Sequence, residues 1–147
     1  MATFDMRDGR AEAGAVASVS TQAFDVVVIG GGPAGMAAAL AAHSAGAHVA
    51  IVEREQHLRG ILRQCIHPGF GLSHFKQELT GPEYAQRFID QVRATDIALF
   101  LNSMVLGIDS GEPTEDTSVH TVALMSRAGM LQLTGRAVVL AMGCRGS

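Results

Sequence analysis

Three glycines spaced as Gly30-x-Gly32-x-x-Gly35 constrain this chain more than any other feature. They stand between a β-branched run, Asp25-Val-Val-Val-Ile29, and an alanine-rich stretch, Pro33 to Ala45, with Met36 and Leu40 four apart. The run has no polar alternation, which predicts a strand buried on both faces, as in a parallel sheet. The alanine-rich stretch predicts a helix, ended by Gly46 as a C-terminal cap. His48-Val-Ala-Ile-Val52 predicts a second buried strand. Strand, turn, helix and strand make one β-α-β unit, whose crossover is right-handed and whose strands run parallel.

This spacing carries a chemistry. Gly30 makes the tight turn, Gly32 lets a pyrophosphate approach the backbone, and Gly35 lets the helix pack closely on the strand. The helix N-terminus offers unpaired N–H groups and positive dipole to phosphates. Glu53 ends the second strand, where a carboxylate accepts hydrogen bonds from a ribose diol and repels a 2′-phosphate. Arg54 follows and would favour the phosphorylated ribose, so the spacing alone leaves both nucleotides open.

Beyond this unit, residues 54–79 show no clean periodicity and form a long connection of the kind kept for a function. Thr80-Gly81-Pro82-Glu83 is a capping box with Pro at the first helical position, predicting a helix to about Ala94 with Tyr84, Phe88 and Val92 on its core face. Ile97 to Leu101 predicts a third buried strand. Met104 to Asp109, Ser118 to Ser126 and Met130 to Thr134 alternate as three antiparallel strands, the last two joined by a turn at Ala128-Gly129. Ala137 to Ala141 predicts a final buried strand, closed by Gly143. The fold class is therefore α/β, a Rossmann-like parallel sheet with an inserted three-stranded antiparallel meander.

Composition narrows the function classes. Hydrophobic residues make up 48% of the 147 and charged residues 17%, enough apolar material for a packed core. A net charge of -3 argues against nucleic acid as a partner. Two cysteines, Cys65 and Cys144, support neither a disulfide framework nor a zinc-spaced pair, and they suit a reducing, cytoplasmic setting. No basic start precedes an apolar run, so residues 1–23 are expected to be a flexible extension rather than a secretory signal, with one domain over 24–147. The uncharged run Val26 to Ala42 is broken by Gly30-Gly31-Gly32-Pro33, which speaks for two elements and against a membrane span.

Longer segments resemble a known family. Val28-Ile-Gly-Gly-Gly-Pro-Ala-Gly35 followed by Ile51-Val-Glu-Arg54 resembles the start of flavoproteins with two dinucleotide-binding domains, the pyridine nucleotide-disulfide oxidoreductase-like enzymes. Gly60-Ile-Leu-Arg-Gln-Cys-Ile-His-Pro-Gly-Phe-Gly71 and Glu78-Leu-Thr-Gly-Pro-Glu-Tyr-Ala85 are similar to one subgroup of them. Val138-Val-Leu-Ala-Met-Gly-Cys-Arg145 resembles the strand and turn that re-approach the cofactor. The resemblance covers about residues 24–145.

It implies FAD rather than free NAD, and an oxidoreductase passing a hydride or electrons between NAD(P)H or a small substrate and the flavin. It implies that the turn with Gly30, Gly32, Pro33, Ala34 and Gly35 holds the pyrophosphate, and that Glu53 and its neighbour Arg54 flank the adenosine ribose. Gly60 would lie beside the pyrophosphate, Met104 and Val105 near the adenine, and Ala141, Met142 and Gly143 on the nucleotide's other side. Three departures stand out. Arg59-Gly60 replaces a usual Gly-Gly pair, Met142 replaces a usual Thr, and Ser147 ends the chain before the family's NAD(P) domain and return segment. The expected molecule is the N-terminal part of an FAD fold, truncated at its C-terminal end, incomplete for turnover and open to a partner chain that completes it. The alternatives are an NAD-binding Rossmann domain and a non-catalytic nucleotide-binding subunit or fragment.

Cys65 is the candidate for redox or nucleophilic chemistry by its place in the loop, although a lone cysteine is more often packed than reactive. His67 lies two residues away and would act on a proton, unless it only bonds backbone. Cys65, His67 and His74 lack a fourth ligand and the usual spacing for a metal, so no metal site is expected.

Overall fold

The computed structural model describes residues 18–58, 60–111 and 119–144. The β-α-β unit is present: β1 (Ser20–Ile29), α1 (Pro33–Ser44) and β2 (Val49–Val52). Then come a short 3-10 helix (Gly60–Gln64), β3 (Pro68–Phe70), β4 (Leu79–Thr80), α2 (Gly81–Arg93), β5 (Ala98–Phe100), β6 (Met104–Ser110), β7 (His120–Ser126) and β8 (Gly129–Leu140). Six strands form one sheet in the order β5-β2-β1-β8-β7-β6, and β3 and β4 form a small antiparallel pair. Neighbours among β5, β2, β1 and β8 are parallel, while β8, β7 and β6 are antiparallel.

The lack of alternation in β1 and β2 has its cause in two covered faces. Val28, Val49 and Ile51 pack with Met36 and Ala39 of α1 and Phe88, Ile89 and Val92 of α2. Val27, Ile29, Ala50 and Val52 face the other way and pack with Val122, Leu124 and Leu133 from β7 and β8. Burying each large aliphatic side chain contributes about 1.5–3 kcal/mol, so two clusters of this size dominate the stability. On α2, Tyr84 is only half-buried, and Ala85 and Ile89 join Phe88 and Val92 in the core.

The structure corrects three boundaries. The strand expected from Asp25 begins at Ser20, because Ser20–Phe24 pair with Leu131–Gly135 of β8. Residues 20–23 are thus strand rather than flexible extension, and residues 1–17 lie outside the described residues. The strands expected at Met130–Thr134 and Ala137–Ala141 are a single strand, β8, which also pairs β1 at Val26–Ile29. Gly135, between the two expected strands, is buried in mid-strand where a Cβ would stand 3.0 Å from Val27 Cγ2, so it serves close packing. The meander is accordingly the continuing half of the one sheet. Thirdly, the buried strand expected at Ile97–Leu101 is β5, Ala98–Phe100, which is half-exposed at the sheet edge, and Ala137–Leu140 of β8 likewise holds no buried residue.

Both expected helices form. Thr80 Oγ1 accepts the Glu83 N–H, and the Glu83 carboxylate accepts the Thr80 N–H at 2.8 Å, which completes the capping box. At the far end of α1, His43 Nε2 and Asp96 Oδ1 lie 2.6 Å apart, joining that helix to the entry of β5. The hydrogen bond from His43 holds the exposed Asp96 carboxyl below its ordinary 3.8. Among the described residues no helix is long and apolar enough to cross a membrane.

Candidate nucleotide site

The site grows from the ends of three neighbouring strands. β1 passes into Gly30, whose φ of 112° is left-handed space that glycine alone enters without strain. The Gly30 N–H donates to Val52 O of β2 at 2.8 Å, and the Ala141 N–H, just past β8, donates to Ile29 O at 2.8 Å. A Cβ on Gly30 would collide with the Ala141 carbonyl and come within 3.2 Å of Met142 N. A Cβ on Gly35 would collide with the Gly30 carbonyl and stand 3.4 Å from Ala141 Cβ. Those two glycines therefore let α1 sit directly on the ends of β1 and β8.

Gly32 differs from both. A Cβ there would meet only Gly60 Cα, at an ordinary 3.8 Å, and its φ of -77° suits any residue. Among the described residues nothing requires glycine at this position, which leaves open space beside it. Gly32 is also the N-cap of α1, with no side-chain cap, Pro33 opening the helix and no acidic residue in the first turn. Pro33 has no N–H to satisfy, while the Ala34 and Gly35 N–H groups lack intrahelical acceptors. They present positive partial charge with no carboxylate beside them in the helix. From the opposite side, Gly60 enters left-handed space at φ 56°, and a Cβ on it would come 3.1 Å from Gly32 Cα.

Glu53 ends β2 and is 8% exposed. Its two carboxylate oxygens are divided: Oε2 accepts the Gly31 N–H at 2.7 Å and Oε1 the Glu55 N–H at 2.9 Å. A carboxylate offers about four lone-pair positions, so two acceptor positions remain. The Glu53 backbone donates to Phe100 O and accepts from Ser103 N, and Asn102 N donates to Glu55 O, all at 2.9–3.0 Å. These bonds bring the β5–β6 connection against the same strand end.

Gly30, Gly32, Pro33, Gly35, Glu53, Gly60, Ala141 and the Met142 backbone are thus gathered at one end of the sheet. Ala34 is exposed in the first turn of α1. The Met142 side chain is 67% exposed, and Gly143 has φ 65°. Arg54 points its charge to its neighbour, with Nε 3.5 Å from Glu55 Oε1 in an exposed pair. Val105 packs half-buried in the second core cluster, and Met104 beside it is exposed. Arg59 lies outside the described residues.

Sequence reasoning missed Gly31 and Leu58. A Cβ on Gly31 would collide with Leu58 Cδ2 and stand 3.0 Å from Glu53 Oε2, so this glycine is required by the buried Glu53 and Leu58. A third consecutive glycine, surplus to the spacing rule, was its signal.

Cys65 is half-buried, with Sγ 3.8 Å from Ile61 O, and its carbonyl accepts the Gly81 N–H at 2.8 Å. These contacts give it a packing role between the 3-10 helix and the start of α2. His67 Nδ1 lies 3.2 Å from Pro68 O, and His74 stacks on Phe88 at 5.3 Å. Among the described residues no three His, Cys, Asp or Glu side chains gather as metal ligands.

A family model for FAD dependent oxidoreductase matches residues 25–123. A ferredoxin–NADP reductase of Streptococcus pneumoniae serotype 19F (strain G54) is 35% identical over 130 residues, covering 84% of this chain and 36% of the relative. One from Streptococcus suis (strain 05ZYH33) is 30% identical over 125 residues, covering 84% and 35%. The chain therefore spans just over a third of the length of these curated relatives. Among solved structures, a thioredoxin reductase from Gloeobacter violaceus superposes with TM-score 0.66 at 29% identity, covering 86% of this chain and 36% of that one. L-proline dehydrogenase from P. horikoshii superposes with TM-score 0.67 at 25% identity, covering 85% and 23%. The model match takes in the glycine turn, Glu53, Gly60 and both helices, and the superpositions take in the sheet that carries them: the chain belongs to the FAD-dependent oxidoreductase family.

Proposed function

We propose that this chain holds the adenosine and pyrophosphate half of an FAD molecule, within an enzyme that moves a hydride or electrons between NAD(P)H or a small substrate and the flavin. The observation that carries the reading is the contrast among the glycines. Gly30 and Gly35 are demanded by protein contacts, whereas Gly32 is bare beside open space. A cradle that a side chain would fill, at an uncapped helix N-terminus, fits a pyrophosphate.

When bound, FAD supplies the hydride- and electron-accepting chemistry. This chain's residues bind and orient it. Gly32 admits the pyrophosphate to the Ala34 and Gly35 N–H groups, and Pro33 fixes the first turn of α1. The remaining acceptor positions of Glu53 take a ribose hydroxyl, and its charge disfavours a 2′-phosphate. Arg54, paired with Glu55, does not oppose that preference. Gly60 closes the cradle from the side, Val105 borders the adenine, and Ala141, Met142 and Gly143 border the nucleotide across from it. Cys65 takes no part in catalysis in this reading.

A completing strand belongs to the same proposal. β7 ends its pairing with β8 at Gly135, so among the described residues Ala137–Leu140 pair on one side only, with β1. A further strand, from this polypeptide's continuation or a partner chain, would close that edge. The two free cysteines suit a reducing, cytoplasmic compartment.

The test is a visible absorption spectrum of the purified chain with FAD added and excess removed, followed by extraction and identification of the nucleotide. A flavin spectrum and extracted FAD support the reading. A colourless protein, or extraction of NAD in place of FAD, overturns it.

A further inference from the structure

We propose that Met104, Met125 and Met130 form a thioether site for a soft monovalent cation of the copper(I) or silver(I) class. The site would lie on the outer face of the antiparallel half of the sheet, where Met104 follows directly on Ser103, whose N–H donates to the Glu53 carbonyl. In the register of the three strands, Met104 of β6 stands opposite Met125 of β7, and Met125 stands opposite Met130 of β8. Directly opposed residues share a face, with Cβ atoms about 4.5–5.5 Å apart. The next row along, Val105, Leu124 and Leu131, belongs to the core, so the methionine row faces outward. Their exposures agree: 57% for Met104, 42% for Met125 and 49% for Met130.

Outward strand positions are ordinarily filled by polar or β-branched residues, and methionine has no such preference. Here three of the chain's seven methionines occupy one cross-strand row. The row is held in place. Met125 and Met130 are the pair next to Ser126–Gly129, which closes the two-residue turn at Arg127-Ala128. Beside Met104, the register shifts between Val105 and Gly107, a bulge that adds local twist to the edge strand.

The chemistry follows from the donor set. Each methionine is unbranched and carries a polarizable sulfur on three rotatable bonds, so three neighbours can gather their sulfurs on one ion. Thioethers select soft ions such as copper(I) over calcium, magnesium or manganese. Along the sequence no carboxylate, histidine or cysteine lies within two residues of the row and Arg127 is the single charged residue there, while Glu53 and Glu55 bond the residues before Met104 through their backbone carbonyls.

Silver(I), which needs no reductant, is the probe. The full chain carries Cys65→Ser and Cys144→Ser, to remove competing thiols, and methionine methyl groups labelled for NMR. Met36, fully buried, reports folding. Met142, two residues past β8, is an exposed thioether outside the row. The expected result is that Met104, Met125 and Met130 shift together and saturate at one silver per chain while Met142 barely moves. Met125→Leu should then weaken the response of the other two by about tenfold or more, through loss of the chelate. Should that variant lose the folded Met36 signal, Met104→Leu on the edge strand serves in its place. Parallel, unsaturated shifts of Met104, Met125, Met130 and Met142 alike, or an unchanged response in the folded variant, would overturn the proposal.

Discussion

Glu53 shows how one side chain can serve fold and site together. Buried at the end of β2, it accepts two backbone N–H groups, from Gly31 and Glu55. Removing it strands the Gly31 N–H in a buried place, which costs about 1–3 kcal/mol. Glu53→Ala should therefore lower the free energy of unfolding in urea by that amount, besides weakening nucleotide binding. A change below about 0.5 kcal/mol, the usual surface range, would mean that the Gly31 bond is not maintained in solution. The glycine spacing and Glu53 were legible in the sequence because a turn, a helix start and a strand end are local events with local residue demands. The Gly31–Leu58 contact was not, since it depends on where residue 58 returns in space.

At the scale of elements, the helices and the buried strands β1 and β2 were read well, whereas β5 and the end of β8, expected to be buried, are half-exposed, and the length of β8 was missed. The capping box was legible because its four residues contain the whole interaction. Thr80→Ala should destabilise the chain by about 1 kcal/mol in thermal or urea unfolding. Glu83 adds a pH signature. The Thr80 N–H and hydroxyl hold its carboxyl below the ordinary 4.5. A folded pKa below the unfolded one gives a contribution that is complete above 4.5 and fades as pH falls through the lowered value. The stability gap between wild type and Glu83→Gln should accordingly be widest above pH 4.5 and narrow below it. A gap independent of pH would show that the ionised carboxylate is not what caps the helix. β8 was misread as two strands with Gly135 between them, whereas the cause of that glycine is the approach of Val27 from β1. The start of β1 was missed for a similar reason: Ser20 to Ala23 have no strand pattern of their own and pair because β8 offers them an edge.

For the molecule as a whole, one continuous sheet ties the cradle to the meander, and both halves of β8 lean on β1. Among the described residues one side of Ala137–Leu140 has no strand partner, the kind of edge that natural sheets usually blunt with charge, cover or pair. Leu140 lies there, 59% exposed. The isolated chain should self-associate with rising concentration in sedimentation velocity, and Leu140→Lys should suppress it. Identical concentration dependence in both proteins would place the association elsewhere. The central claim is that Gly32 is glycine for the sake of a ligand, while its neighbours are glycine for the sake of the fold. Titration of FAD into wild type and Gly32→Val, monitored by flavin fluorescence and alongside thermal unfolding of the ligand-free proteins, tests it most directly. The account predicts saturable FAD binding by wild type, none by the variant, and ligand-free stabilities within about 1 kcal/mol of each other. Undiminished FAD binding by a folded Gly32→Val chain would contradict it.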